Sequence, residues 1–516
     1  MHGRRDSMSN TRTKNTILNA LGGIVSKLSG FLTVFIARTV FIHVLGIEYA
    51  GVSSVFTNVL TVLSFAELGI GTAITYALYK PIAENDHNQI CKLMKAYRKI
   101  YSAIGIVIFL LGLCLLPFLQ YVIKDAPSIQ EDLRLIYLLY LANTSVSYFY
   151  IYKSTFLIAV QKNYLVTKYN VIISVVKTIV ECVALLIFRN FIVYLVCSIS
   201  SSFINNLIVA KVADREYPIL KQKSNEKLDK AEKKRLFSDT KALAMYKVSG
   251  TVLNGTDSIL ISSMFGTGLA GVLGNYNLII GQVYSFVLVL CAATSASIGN
   301  LAATSDKKHQ YKIYNQMTFI CFWMYCFCTT SLWTLLNPFM DVWQKGRLTF
   351  DNNVVLLLVV EFYIRGMLSP VTQFRTSNGL FVQGKYRPVI MAVINIASSI
   401  LLAKWIGVAG IFLGTIVSRV STQCWYDPWL VYNKVFSKKV WNYFKTYFLH
   451  ALVTAACCVL TSALLNVICP QAGIAKLLVG AMLCVTIPNV AIVGLFHKTE
   501  PFQATVGIVK GVLKKQ

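Results

Sequence analysis

Acidic residues are scarce in this chain. Only 22 Asp plus Glu stand against 49 Lys plus Arg in 516 residues, and the formal net charge is +27. Charge of either sign is thin as well, at 14%, where a soluble protein carries roughly a quarter. A soluble globular domain is therefore excluded. No RNA- or DNA-binding motif accompanies the basic excess, which argues against nucleic acid as a partner. No cysteine or histidine pattern has metal-ligand spacing. Cys321, Cys326 and Cys328 in "CFWMYCFC" have neither a partner pair nor a nearby His, so no metal site is expected. The 13 cysteines fall almost entirely in apolar runs and read as buried thiols. A cleavable signal peptide is not expected, because "MHGRRDSMSNTRTKN" is polar and the run after it is too long. Short repeats of a solenoid are missing too.

What is present is apolar residue, 55% of the chain, in blocks long enough to cross a bilayer. Fourteen such segments can be drawn, at roughly 16–44, 49–79, 97–123, 133–160, 169–188, 191–212, 243–265, 270–303, 315–340, 353–383, 389–403, 407–430, 446–468 and 474–496. The gaps near Arg189 and Lys404 are so short that tight helical hairpins are expected there. With the N-terminus inside, the inward breaks hold 35 Lys plus Arg and the outward breaks 7. That asymmetry predicts cytoplasmic N- and C-termini. The expected fold is all-α and polytopic, with about fourteen transmembrane helices. Residues 1–212 form an N-lobe of six helices, 213–242 a basic cytoplasmic linker and 243–432 a C-lobe of six helices. Residues 433–516 add two helices and an amphipathic tail. In that tail Phe502, Val506, Val509 and Leu513 share one face, suited to the inner leaflet.

The halves resemble each other at a constant offset of 220 residues. Lys27 falls on Lys247, Gly46 and Ala50-Gly51 on Gly266 and Ala270-Gly271, Ala83 and Asp86 on Ala303 and Asp306, and Lys92 on Lys312. Six crossings lie within one offset, so the copies enter the membrane in the same direction. This predicts two pseudo-symmetric lobes about an axis along the membrane normal, with a binding site between them.

Seven basic residues fall inside apolar segments and away from their ends: Lys27, Arg38, Lys153, Lys177, Arg365, Arg375 and Arg419. Glu67, Glu181, Asp257 and Glu361 join them. A charge at the bilayer centre costs at least about 2.5–3.5 kcal/mol, so these groups should face one another or a wet cavity. Lys177 with Glu181, and Glu361 with Arg365, are spaced to pair along one helix. Lys153 has the option of snorkelling or a local pair. The surplus is positive, and a cationic cavity suits an anionic ligand such as a lipid diphosphate. Lys27, Arg38, Arg365, Arg375 and Arg419 are the candidate substrate-binding set. Glu67 and Glu361 are the candidate charge-balancing or gating acids. Asp257, with Asn254 and Thr256 in "VLNGTDSIL", is a candidate ion-coupling site for Na+ or H+; its bland alternative is a hydrogen-bonded cluster between helices. No catalytic residue and no further cofactor is expected.

Two stretches carry a family likeness. "VLGIEYAGVSSVFTNVLTVLSFAELGIGTAITYALYKPIAEND" resembles the first two helices of bacterial polysaccharide flippases. "FRTSNGLFVQGKYRP" resembles the stretch that closes their tenth helix, with Gly384 where the family often has an acidic residue. These flippases form the polysaccharide transporter branch of the multidrug/oligosaccharidyl-lipid/polysaccharide exporter superfamily. The resemblance implies a V-shaped, alternating-access transporter of the bacterial plasma membrane. Its cargo would be an undecaprenyl-diphosphate-linked oligosaccharide, moved from the cytoplasmic to the outer face. Membrane lipids, and a polysaccharide polymerase, are the other partners to consider. Two rivals are an antiporter of drugs or organic cations, which calls for an acidic lumen, and a membrane glycan polymerase, which calls for a large outer loop or an acidic pair.

Overall fold

The computed structural model describes residues 23, 25–27, 29–64, 70–123, 129–160, 162–221, 229, 255–304, 307–344, 349–378, 380, 383–384, 386–471 and 473–513. Among the described residues there are helices and turns and no strand. Nine of the described helices are long and apolar enough to cross a membrane, and every one of the fourteen apolar segments overlaps a described helix. The chain is a multi-pass, all-α membrane protein. It divides into two compact units, Met1–Gly274 and Asn275–Gln516.

In the first unit the helices are α1 (Val25–Val44), α2 (Ile47–Leu63), α3 (Ile70–Glu84), α4 (His87–Leu115), the short α5 (Leu119–Val122), α6 (Leu133–Ser147), α7 (Ile151–Ala159), α8 (Asn163–Phe188) and α9 (Phe191–Glu216). Next comes α10 (255–265), followed by the first turns of α11 (Thr267–Thr304). Side-chain caps set several starts. Asp86 accepts from the Gln89 N–H at 2.9 Å and opens α4. Asn190 accepts from Val193 at 3.1 Å and opens α9. These caps satisfy backbone donors that a helix start leaves orphaned. Arg189, at φ 47°, and Asn190 alone separate α8 from α9, which is the tight hairpin expected there. The segment 133–160 is not one helix: it breaks at Tyr148–Tyr150 into α6 and α7.

One stripe of α8 is bare: Ile172, Val176, Ile179, Val183 and Ile187 are all exposed. They recur every three or four residues, so they share a face. In water such a face would be a liability; in a bilayer it is the lipid contact. Near the N-terminal end of the same helix the core is Leu157, Val166, Val209 and Ala213. There Lys153 pairs with Asp214 at 2.6 Å and Lys162 with Glu216 at 2.7 Å. Lys153 thus finds its partner on another helix.

The second unit contains the rest of α11, then α12 (Lys307–Gln344), α13 (Asn352–Met367), α14 (Ser369–Ser377), α15 (Arg387–Ile406), α16 (Val408–Val431), a π turn (Tyr432–Phe436), α17 (Trp441–Ile468), α18 (Ile474–Phe496) and α19 (Glu500–Leu513). α12 has 38 residues, about 57 Å at helical rise. It outreaches the hydrocarbon core of about 30 Å. The hairpin expected near Lys404 turns slightly later. Lys404 lies within α15, and Gly407, at φ +65°, is the single residue between α15 and α16. A Cβ at Gly414 would stand 2.5 Å from the Ser399 nitrogen, and one at Gly410 would overlap the backbone of Leu402. The absent side chains let the backbones touch, and Asn395 adds a 2.8 Å bond to Thr415. The tail helix α19 is seated on protein. The Phe502 ring stacks on Trp323 at 5.5 Å and meets Phe319 edge-on, so at least this residue of the predicted leaflet face packs on α12.

Candidate functional site

The offset repeat has a physical counterpart inside the first unit. Gly46 and Gly266 both carry a left-handed φ, 101° and 99°. Their N–H groups close the preceding helices on Ile42 and Ser262, again 220 residues apart. Ala50 and Ala270 are both fully buried. Gly51 and Gly271 then meet each other. A Cβ on Gly271 would stand 2.5 Å from the Ile47 carbonyl oxygen and 2.9 Å from the Gly51 nitrogen. A Cβ on Gly51 would overlap the Thr267 carbonyl and stand 3.2 Å from the Gly271 nitrogen. Thr267 is the repeat equivalent of Ile47, so the contact is reciprocal, as at a twofold axis. Glycine is needed at both places because backbone lies where any side chain would go.

One arginine breaks that symmetry. Arg38 on α1 stands opposite Ser258 in the repeat. Its Nη2 donates to the Gly271 carbonyl at 3.3 Å, and it would collide with a Cβ on Gly274 at 2.8 Å. Tyr140 and Tyr194 lie within its electrostatic reach, and Tyr140 is bonded to Ser53 at 2.6 Å. Arg38 is thus tied to the α2–α11 crossing by a backbone carbonyl. Elsewhere in this unit Lys177 and Glu181 do pair along α8, at 3.7 Å. Lys27 is exposed. Thr256 and Asp257 are half-buried on α10, and each is engaged with a partner. Glu67 and Asn254 lie outside the described residues.

In the second unit the cations take three different environments. Arg365 is half-buried on α13. Its guanidinium lies 3.9 Å from the centroid of the Tyr284 ring, a favourable cation–π geometry. Among the described residues no carboxylate pairs with it. The i,i+4 pair expected with Glu361 is not the one formed. Glu361 instead takes Arg419 of α16 at 2.7 Å, and Arg419 also donates to Gln423 at 3.2 Å. The reason is local: Tyr284 supplies a ring face for Arg365, which leaves the carboxylate to the arginine across the helix interface. Gly366 follows, and a Cβ there would overlap the Tyr325 ring of α12, so α13 and α12 are tightly apposed at this level.

Arg375 is a buried staple. It donates to Asp427 at 2.7 Å, to the Leu380 carbonyl at 3.1 Å and to the Gln383 carbonyl at 2.8 Å. Arg387 approaches the other Asp427 oxygen at 3.1 Å. Gly384, at φ +75°, presses on the Tyr426 ring. Arg375 near the end of α14 and Arg387 at the start of α15 are therefore both pinned to one carboxylate. Sequence reasoning missed Asp427 and Arg387. The signal was available in "YDPW", where an acid sits inside an apolar segment just before Pro428. Asp427→Asn is expected to cost about 3–5 kcal/mol, because it leaves two buried guanidinium groups without their counter-charge. Thermal unfolding of the purified variant in detergent, compared with Glu361→Gln, measures that loss.

Taken together, Arg365, Glu361, Arg419, Arg375, Asp427 and Arg387 sum to two positive charges within one unit. Among the described residues no group of His, Cys, Asp and Glu could hold a metal ion.

The family model described as "Polysaccharide biosynthesis protein" matches residues 13–298. No curated protein matches in sequence. Among solved structures, the lipid II flippase MurJ in an inward closed conformation superposes with a TM-score of 0.63 at 11% identity, covering 94% of this chain and 99% of that one. An inward-facing multidrug resistance MATE family transporter of the MOP superfamily gives 0.62 at 12% identity, over 78% of this chain and 95% of that one. The MATE transporter VcmN of Vibrio cholerae gives 0.58 at 17% identity, over 84% and 99%. At these identities the likeness is one of fold.

Proposed function

This chain belongs to the polysaccharide biosynthesis protein family, and on that premise we propose that it is a flippase for a lipid-linked glycan precursor. The cargo is an undecaprenyl-diphosphate-linked oligosaccharide, carried from the cytoplasmic to the outer face of the bacterial plasma membrane by alternating access. Both termini face the cytoplasm. The protein performs transport and no bond-breaking chemistry.

The observation that carries this reading is Arg365, a membrane-embedded cation lying on an aromatic face and paired with no described carboxylate. A diphosphate is the ligand that completes it, since guanidinium and phosphate oxygens match in charge and geometry. Arg38 and Lys27 on α1 are further proposed cargo contacts. Arg419 and Arg375 hold the frame, with Glu361 balancing Arg419. The Gly51–Gly271 crossing serves as the outer closure: by the charge asymmetry of the loops, both glycines sit near the outer ends of their helices. Asp257, with Thr256 and Asn254, is the proposed coupling site for a Na+ or H+ gradient. The glycan polymerase that would receive the product is a proposed partner.

The test is direct. A strain lacking the gene is expected to accumulate the lipid-linked intermediate on the cytoplasmic side, scored by accessibility to a membrane-impermeant sugar-modifying reagent. Unchanged outward appearance of the intermediate would overturn the proposal. The fold likeness to multidrug transporters keeps a cation antiporter in view. Efflux of a cationic dye from cells expressing the chain would favour that rival.

A further inference from the structure

At the start of α12 there is a half-open cavity of about 580 Å³, within the range of small-ligand sites. Three separate elements build it: the first turns of α12, the turn after the π segment, and the start of α19. Its walls carry Lys308, Lys312 and Lys438, with His309 beside them and one acid, Glu500. Glu500 is committed to Lys312 at 2.6 Å. Lys308 and Lys438 have no carboxylate partner among the described residues. Lys438 is held 4.2 Å from the centroid of the Tyr311 ring, which fixes its ammonium toward the cavity side of α12. Lys307 donates to Ser437 at 2.9 Å and ties the turn to the helix, so the basic walls are spaced by bonds and not by chance rotamers.

This place is distinct from the proposed cargo site. Arg365 sits at the level where Gly366 touches Tyr325, and Tyr325 is about 20–25 Å along α12 from Lys308 and Lys312. The cavity opens on the side where the basic breaks cluster. Trp441, 63% exposed, starts the neighbouring α17, and exposed tryptophans at the end of an apolar helix suit a membrane interface.

We propose that this cavity binds a phosphate group, presented by an anionic lipid headgroup or as a soluble phosphate. Two uncompensated ammonium groups supply the attraction, and the third is released when phosphate displaces Glu500 from Lys312. Because Glu500 is the first residue of α19, occupancy also loosens the seat of the tail helix. The proposal stands whether or not the transport reading is correct.

Purified full-length protein in detergent is titrated with short-chain phosphatidylglycerol, with inorganic phosphate and with phosphatidylcholine, reading binding by calorimetry. Phosphatidylglycerol is expected to bind and phosphatidylcholine not to. Each of Lys308→Gln and Lys438→Gln should weaken binding about fivefold, and the pair about 25-fold. Glu500→Gln should tighten it. Lys434→Gln, an exposed lysine outside the cavity, should change nothing. Both cavity lysines are exposed, so the variants keep the fold, and the single substitutions report independently of the double. Equal affinity for inorganic phosphate identifies a soluble ligand; preference for the lipid identifies a headgroup. Binding that is unchanged in the double variant, or absent in the wild type for both phosphate probes, overturns the proposal.

Discussion

Replacing Arg365 by alanine is expected to leave a folded protein that exports little or nothing. The side chain pairs with no described carboxylate, so its removal strands no buried counter-charge. What is lost is a charge-assisted contact to the diphosphate, typically worth about 1.5–3 kcal/mol. Export should fall about tenfold to a hundredfold. Arg365→Lys keeps the charge and loses the planar fork, and should restore part of the rate. Tyr284→Leu removes the ring that positions the guanidinium and should cost about 0.5–2 kcal/mol of the same interaction. Export of the lipid-linked intermediate into sealed vesicles, at matched protein level, measures all three. Normal export by Arg365→Ala would remove this residue from the cargo route.

The second large effect concerns Gly51 and Gly271. Valine at either position is expected to force the α2–α11 crossing apart, because backbone atoms occupy the space each side chain needs. Overpacking of a well-fitted contact costs about 1–3 kcal/mol, and here the obstacle is a carbonyl that cannot rotate away. The reciprocity makes a sharper test. Gly51→Ala and Gly271→Ala should destabilise to a similar degree, and the double variant should cost less than the two together. Thermal unfolding of the four proteins closes the cycle. Strict additivity would show that the glycines do not share one contact.

Much of the fold could be read before any coordinates. Apolar runs marked the helices, because the bilayer demands unbroken helical backbone. Arg189 marked a hairpin, because its gap was too short for anything else. The repeat located Gly46 and Gly266, since a left-handed turn and a backbone crossing both select glycine. The candidate site was less legible. Lys177–Glu181 was visible because it is local to one helix. Glu361–Arg419, Arg365–Tyr284 and Arg375–Asp427 join different helices, and sequence spacing carries no information on which helices meet. The Glu361–Arg365 spacing pointed to a local pair, and tertiary partners outcompeted it. Break points within apolar runs were also silent: nothing in the composition of 133–160 announces the turn at Tyr148–Tyr150.

The Gly407 hairpin bears on biogenesis. With one residue between α15 and α16, and Gly410 and Gly414 laid against the partner backbone, neither helix has room to enter the bilayer independently and find its mate later. The pair is expected to leave the insertion machinery as one object. Defects at these glycines should therefore surface as missing protein in the membrane, degraded during synthesis, and not as a slow carrier.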